Sequence, residues 1–421
     1  MFNPYNQENQ MRFLVPFLLF AMSVSLLADP AAPTALSVKA GPEFDIGFDV
    51  GAWNKAKFVF KNSGQKDWTV EEMEAQWIGT ENSEPWTQKV DVTVAPGKEA
   101  KWLHDTYLPK DMFEKMPEGK VIMKGRFRVK KEGKATYLPF ELKTKRAVLE
   151  EPLASITGQY IYVSFQKSRF DGGLWQRDML KWMDECYECY VELVGRRPFD
   201  GKITGMKESP NRFAWAYAGN PVTLTGLYVP DTISEFKQGL MSWGWAHEVG
   251  HNFDCDLTDF LRWDHDSTEF QANIKVLYAF DHMPSREYLS IRWRGTDILP
   301  VDKDERIPIT KLGDRFFLLY GEKYLADKTR SWKTLDSDEL QSFYQRIVRV
   351  YGWDPIKKWY RIIGAVKDKG LPAPATPEEK VNFQFAALNK AVGQNLIKYY
   401  QLWRFPVTEE SLKAAADKYG L

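Results

Sequence analysis

One stretch, Trp245-Ala246-His247-Glu248-Val249-Gly250-His251-Asn252-Phe253, constrains the chain more than any other. It contains His-Glu-x-x-His. Residues four apart on a helix share a face, so His247 and His251 can bring two imidazole nitrogens to one point with Glu248 beside them. That donor set suits a zinc ion with an acid–base group next to its water. Zinc lowers the pKa of such a water, and Glu248 has the chemistry to take its proton and pass it to a leaving amine. A helix with this task must be held inside a domain, and the aromatic and apolar residues before His247 suit a buried helix.

A catalytic zinc needs a third protein ligand and one open position. In the longer pattern, Gly and His follow the second histidine at three and six residues, but Asp254 and Leu257 stand there, which excludes that subclass. The candidate is Glu269, which opens the amphipathic run Glu269 to Tyr278 after 17 intervening residues. Asn273 lies one turn beyond it on the same face, where its carbonyl could hold the imidazole N–H of a ligand such as His247 and so fix its tautomer. His265, Asp264 and Asp266 are competing donors in the intervening segment.

Near the start, Phe13 to Leu27 is an almost unbroken apolar run between Arg12 and Ala28-Asp29-Pro30. At about 15 residues it is short of the roughly 20 that span a bilayer as a helix. The pattern predicts a signal peptide over residues 1–28 and a linker over 29–37. Export follows, secreted or periplasmic, with no membrane span once the signal is removed. Lys plus Arg and Asp plus Glu are 57 each, so no global basic field exists for phosphates, and nucleic acid is set aside as a partner. Three cysteines, Cys186, Cys189 and Cys255, cannot make a disulfide framework; Cys186 and Cys189 fall in a helical run from Trp175 to Leu193 and read as buried or singly bridged.

Period-two alternation with Gly, Asn and Pro punctuation fills residues 38–147, as in Lys89-Val90-Asp91-Val92-Thr93-Val94 before Pro96-Gly97, or Val121 to Val129 before Glu132-Gly133. About seven such pieces predict an all-β, immunoglobulin-like sandwich. From residue 151 the texture turns helical, with one run expected from Ile233 to Phe253 and another from Ser267 to His282. The fold class expected is therefore multidomain, a sandwich followed by an α+β, mostly helical zincin-like domain over 151–421.

Three stretches carry a resemblance: His247-Glu248-Val249-Gly250-His251-Asn252; Thr268-Glu269 with Asn273, Ile274 and Tyr278; and Gly393-Gln394-Asn395-Leu396-Ile397 with Tyr400, Trp403 and Phe405-Pro406-Val407-Thr408. They resemble the enhancin- and mucinase-type zinc peptidases, the M-sixty-like family of the gluzincin group. The resemblance implies one catalytic zinc ion on His247, His251 and Glu269, with Glu248 as general base and acid. It implies an extracellular endopeptidase acting on glycoproteins, often mucins with O-linked glycans, beside accessory sandwich modules.

Two other readings compete. A gluzincin aminopeptidase would carry a GxMEN element, of which Gly205-Met206-Lys207-Glu208-Ser209 is a loose echo. A glycan- or cell-surface-binding protein without catalysis would not need Glu248. Among the tryptophans near the motif, Trp243, Trp245 and Trp263, the last is expected in a loop and is the one favoured for stacking on a sugar.

Overall fold

A computed structural model describes residues 35–43, 47–49, 52–78, 84–108, 121–144, 147–210, 215–254, 256–293 and 305–421. The predicted signal peptide and Cys255 lie outside them. The described residues divide into two compact units, one drawn from 35–41, 57–103 and 122–143, the other from 42–56, 104–121 and 144–421.

Among the described residues seven strands precede residue 145: β1 (Leu36–Pro42), β2 (Ala52–Asn62), β3 (Trp68–Trp77), β4 (Trp86–Val94), β5 (Glu99–Leu108), β6 (Val121–Lys131) and β7 (Lys134–Thr144). They form two sheets, β1-β2-β5 and β4-β3-β6-β7. The alternation read from sequence has a physical outcome in β3, whose Val70, Met73 and Ala75 are buried while Glu72 and Gln76 face outward. In the first unit Phe58, Phe60, Phe127 and Phe140 pack edge-on or tilted with ring centroids about 5 Å apart, the arrangement aromatic quadrupoles favour. Glu132 and Gly133, both at positive φ, close the β6–β7 hairpin.

The second unit contains a mixed sheet in the order β11-β12-β10-β9-β8. Its strands are β8 (Leu153–Thr157), β9 (Ile161–Gln166), β10 (Thr204–Ser209), β11 (Ala216–Tyr217) and β12 (Val222–Thr225). β9, β10 and β12 run parallel, and antiparallel β8 and β11 close the two edges. The crossover from β9 to β10 carries α1 (Leu174–Val194), whose Cys186 and Cys189 are buried free thiols. Burial raises both thiol pKa values, Cys189 to about 12, which makes them packing residues rather than thiolate donors.

The single helix expected over Ile233 to Phe253 is two: α2 (Val229–Lys237) and α3 (Trp243–Asn252). Gly239 adopts φ 74°, open to glycine without strain, and Met241 N–H leaves the helical ladder to bond the Ser290 carbonyl at 2.8 Å. Tertiary pairing with β13 (Ser290–Trp293) therefore outcompetes helix continuation. After a single helical turn, α4 (Thr258–Leu261), comes α5 (His265–His282), started by a capping box between Asp264 and Ser267. Helices follow to the C-terminus, among them α6 (Leu312–Ala326), α7 (Ser337–Tyr351), α8 (Asp354–Asp368) and α9 (Pro377–Val392). Among the described residues no helix is long and apolar enough to cross a membrane.

Candidate metal centre

Helix α3 is fixed before any ligand is considered. Its N-cap, Ser242, accepts from Trp245 N–H, and Trp245 is sunk between Phe165 and Phe236. Tyr190 of α1 donates its hydroxyl to the Ala246 carbonyl at 3.0 Å. At the other end, the Asn252 side chain forms two hydrogen bonds to the Gly219 backbone, 2.8 and 2.9 Å long. Helix α5 lies close alongside: a Cβ at Gly250 would sit 3.2 Å from the Ala272 carbonyl oxygen and 3.4 Å from its Cα. A glycine facing an alanine is what lets the two backbones approach this closely.

That approach brings side chains of both helices to one point. His247 Nε2 lies 3.0 Å from Glu269 Oε2, and His251 Nε2 lies 3.5 Å from the same oxygen. The two imidazoles stand nearly perpendicular, with centroids 4.5 Å apart. All three donor atoms fall within 4.8 Å of one another, a grouping able to hold a metal ion. Asn273 sets its Oδ1 2.8 Å from His247 Nδ1.

The donor chemistry fits a cation at this point. With Asn273 Oδ1 accepting the Nδ1 proton, His247 Nε2 carries a lone pair, and it faces a carboxylate oxygen at hydrogen-bond distance. Two acceptors at that separation repel unless a proton or a metal ion lies between them. Burial disfavours the imidazolium of His247, but the bond to Glu269 and the charges of Glu248 and Glu269 outweigh it, so its pKa is raised. His251 is pushed down to about 4, chiefly by burial. Burial also lifts the Glu248 carboxyl to about 7, whereas the two histidines hold Glu269 well below the usual carboxylate range despite its own burial.

The competing donors are placed elsewhere. Asp264 serves as the N-cap of α5. Asp266 stands next to the α5 cap with its carboxyl pKa raised, chiefly by burial, and His265, mostly exposed, keeps its Nδ1 3.8 Å from Glu269 Oε1. Trp263 lies in the short segment between α4 and α5, outside any helix as expected, but it is buried, 9% exposed, so the expectation that it meets a sugar is corrected. Trp245 is likewise core, and Trp243 packs edge-on against Phe280. Sequence reading passed over Asp338 in the first turn of α7. Burial, with Asp336 and Glu339 adding to it, raises this carboxyl to about 6, and it lies within electrostatic reach of His247. Only the packing of α7 on α5 brings it there, so no local signal could have found it.

Two helices, one bearing paired histidines four apart and the other a carboxylate, converge beside a mixed sheet; this is the donor arrangement of a metal-dependent hydrolase. Over residues 132–404 the sequence matches Peptidase M60, enhancin and enhancin-like, and the chain belongs to that family. Membership makes it a metallopeptidase by descent and implies zinc as the metal. Among solved structures it is similar to a functionally unknown conserved protein from Bacillus anthracis str. Ames, at 14% identity and TM-score 0.48 over 92% of this chain and 79% of that one. A metallopeptidase from Bacteroides thetaiotaomicron is similar at 13% identity and TM-score 0.40, over 85% and 64%. The M60 catalytic domain of Clostridium perfringens ZmpC, solved with the sialyl T antigen, is similar at 11% identity and TM-score 0.40, over 91% and 75%. No curated protein matches the sequence significantly.

Proposed function

We propose that the protein is a secreted zinc endopeptidase that hydrolyses peptide bonds in glycoproteins, with O-glycosylated, mucin-like chains as the substrate class. The observation that carries this reading is the convergence of His247, His251 and Glu269 within 4.8 Å, with Glu248 on the same helix as both histidines. In it the two Nε2 atoms and the Glu269 carboxylate would hold the ion, and Asn273 would fix the tautomer of His247. Bound zinc supplies Lewis acidity toward the scissile carbonyl and the attacking water.

Glu248 does the proton work. Burial lifts this carboxyl to about 7 in the metal-free site; a bound cation would lower it, leaving a carboxylate able to take a proton from water and return it to the leaving amine. The glycoprotein substrate and the extracellular setting rest on family membership and on the leader-like Phe13 to Leu27. The catalytic domain is taken as residues 151–421, and 38–147 as an immunoglobulin-like accessory sandwich.

The aminopeptidase reading would require Glu208 to bind a free substrate amine. Its side chain is fully buried, and it already accepts from Gln166 N–H, Gln166 Nε2 and Arg169 Nη2 at 2.8–2.9 Å. A carboxylate with no exposed surface and three donors already on it is closed to an incoming substrate amine.

Digestion of a heavily O-glycosylated mucin by the purified protein, with and without chelator, beside the Glu248→Gln variant and a deglycosylated substrate, tests the proposal. Cleavage that needs zinc, Glu248 and the glycan is expected. Cleavage that persists in Glu248→Gln, or no cleavage by protein carrying stoichiometric zinc, overturns it.

A further inference from the structure

The two candidate histidine ligands are supported unequally. His247 has Asn273 on its second ring nitrogen, whereas His251 Nδ1 is buried and has no hydrogen-bond partner among the described residues. A histidine that offers Nε2 to a metal carries its proton on Nδ1, and buried N–H groups need an acceptor.

A candidate acceptor lies one turn away. Asp254, whose backbone N–H bonds the His251 carbonyl at 3.0 Å, is completely buried. Its Oδ1 accepts from Lys275 Nζ at 2.7 Å, while Oδ2 is buried and has no hydrogen-bond partner among the described residues. Lys275 is also completely buried; it donates to the Gln271 carbonyl at 2.6 Å and lies 5.5 Å from the Tyr360 ring centroid. One turn of chain thus contains a buried donor without an acceptor and a buried acceptor without a donor.

We propose that Asp254, clamped by Lys275, is the positioning carboxylate of His251, its free Oδ2 taking the Nδ1 proton directly or through one bridging water and so leaving Nε2 as the lone pair for the metal. Lys275 sits on the helix that carries Glu269, so the pair also ties the end of α3 to α5 and couples the placement of all three ligands. The inference rests on the zinc reading of the site and extends it to residues outside the His-Glu-x-x-His pattern.

A purely structural ion pair would also hold α3 to α5, so the test separates metal affinity from stability. Zinc affinity of the full chain is measured by competition with a chromogenic chelator, and melting of the metal-free protein by calorimetry, for wild type, Asp254→Asn and the double variant Asp254→Leu/Lys275→Met. The double variant removes both buried charges together, which cores often tolerate. It should melt near wild type yet bind zinc about 10- to 100-fold more weakly, the usual effect of losing such a partner. Asp254→Asn should weaken binding too.

Unchanged zinc affinity in either variant, with wild type binding zinc tightly, overturns the inference while leaving the zinc reading intact; failure of wild type to bind zinc sinks that reading instead. Should both variants fail to fold, the ¹⁵N-histidine spectrum of zinc-loaded wild type decides. A slowly exchanging Nδ1 proton on His251 is expected there, and an Nε2–H tautomer or a freely exchanging proton overturns the assignment.

Discussion

The two units handle charge in opposite ways. In the first, ion pairs such as Lys66–Glu132, Lys89–Asp91 and Lys124–Glu141 join side chains that remain largely in water, and the interior is apolar, with phenylalanines packed among aliphatic residues such as Val70, Met73 and Leu142. In the second, Glu208, Asp254, Lys275 and Glu339 are inside, held by Arg169, by one another and by Arg330. Buried ion pairs rarely out-stabilise apolar packing of similar volume. Their concentration in the unit that carries His247, His251 and Glu269 therefore points to geometry being held in place rather than to stability.

The comparison breaks most sharply at the acid–base group. Glu248→Gln keeps the shape of the side chain and removes its proton chemistry, so kcat on a cleaved peptide should fall by about 10²- to 10⁴-fold with zinc content unchanged. Equal loss of zinc and of activity would mean that Glu248 holds the ion instead. Glu269→Ala should do what Glu248→Gln does not: by removing one of three donors it should abolish stoichiometric zinc, measured by elemental analysis after dialysis. Wild type treated with a chelator and then given zinc should recover activity, and the variant should not.

Packing comes next in size. At Gly250 even one added carbon meets the α5 backbone at 3.2 Å. Gly250→Val should cost about 1–3 kcal/mol by overpacking, seen as a lower Tm of the metal-free protein, and should weaken zinc binding because α3 and α5 are forced apart. Lower stability with unchanged affinity would show that the ligands tolerate a wider helix pair.

A smaller effect is expected at Asp338. Burial, then Asp336 and Glu339, raise its carboxyl from 3.8 to about 6. A carboxyl raised on folding favours the native state while protonated, and that contribution is lost as pH climbs from about 4 through about 6. In the chelated protein, Asp338→Asn should therefore melt higher than wild type above about pH 7, and the difference should vanish near pH 4. A difference that persists at low pH would assign it to packing rather than to charge.

Much of this contrast could be read along the chain, but not its partners. His247 and His251 share a helix face by spacing alone, and Glu269 and Asn273 share one on α5 for the same reason. Strand alternation with the Glu132-Gly133 turn is local chemistry of the same kind. The break between α2 and α3 is not local, because Met241 is drawn away by Ser290, 49 positions later in the chain. Trp263 is the loop residue that its place in the sequence suggests, but its burial depends on elements that approach only in the fold. Asp254 and Lys275 each read as ordinary charges, and their pairing across 21 positions has no signature in composition or period.

The smallest expected effect tests the other side of the comparison. Lys66 and Glu132 form a close ion pair in the first unit, and the lysine draws the glutamate's pKa below its ordinary value, yet both side chains are 58% exposed. Water and salt screen such a pair, and holding two long side chains in one geometry costs entropy that offsets the attraction. Lys66→Ala should therefore shift Tm by less than about 1 °C at moderate salt. A fall of several degrees would place an energetically important charge on the surface of the unit whose interior is apolar, and the division between the two units would then lie in core composition alone, not in how each uses its charges.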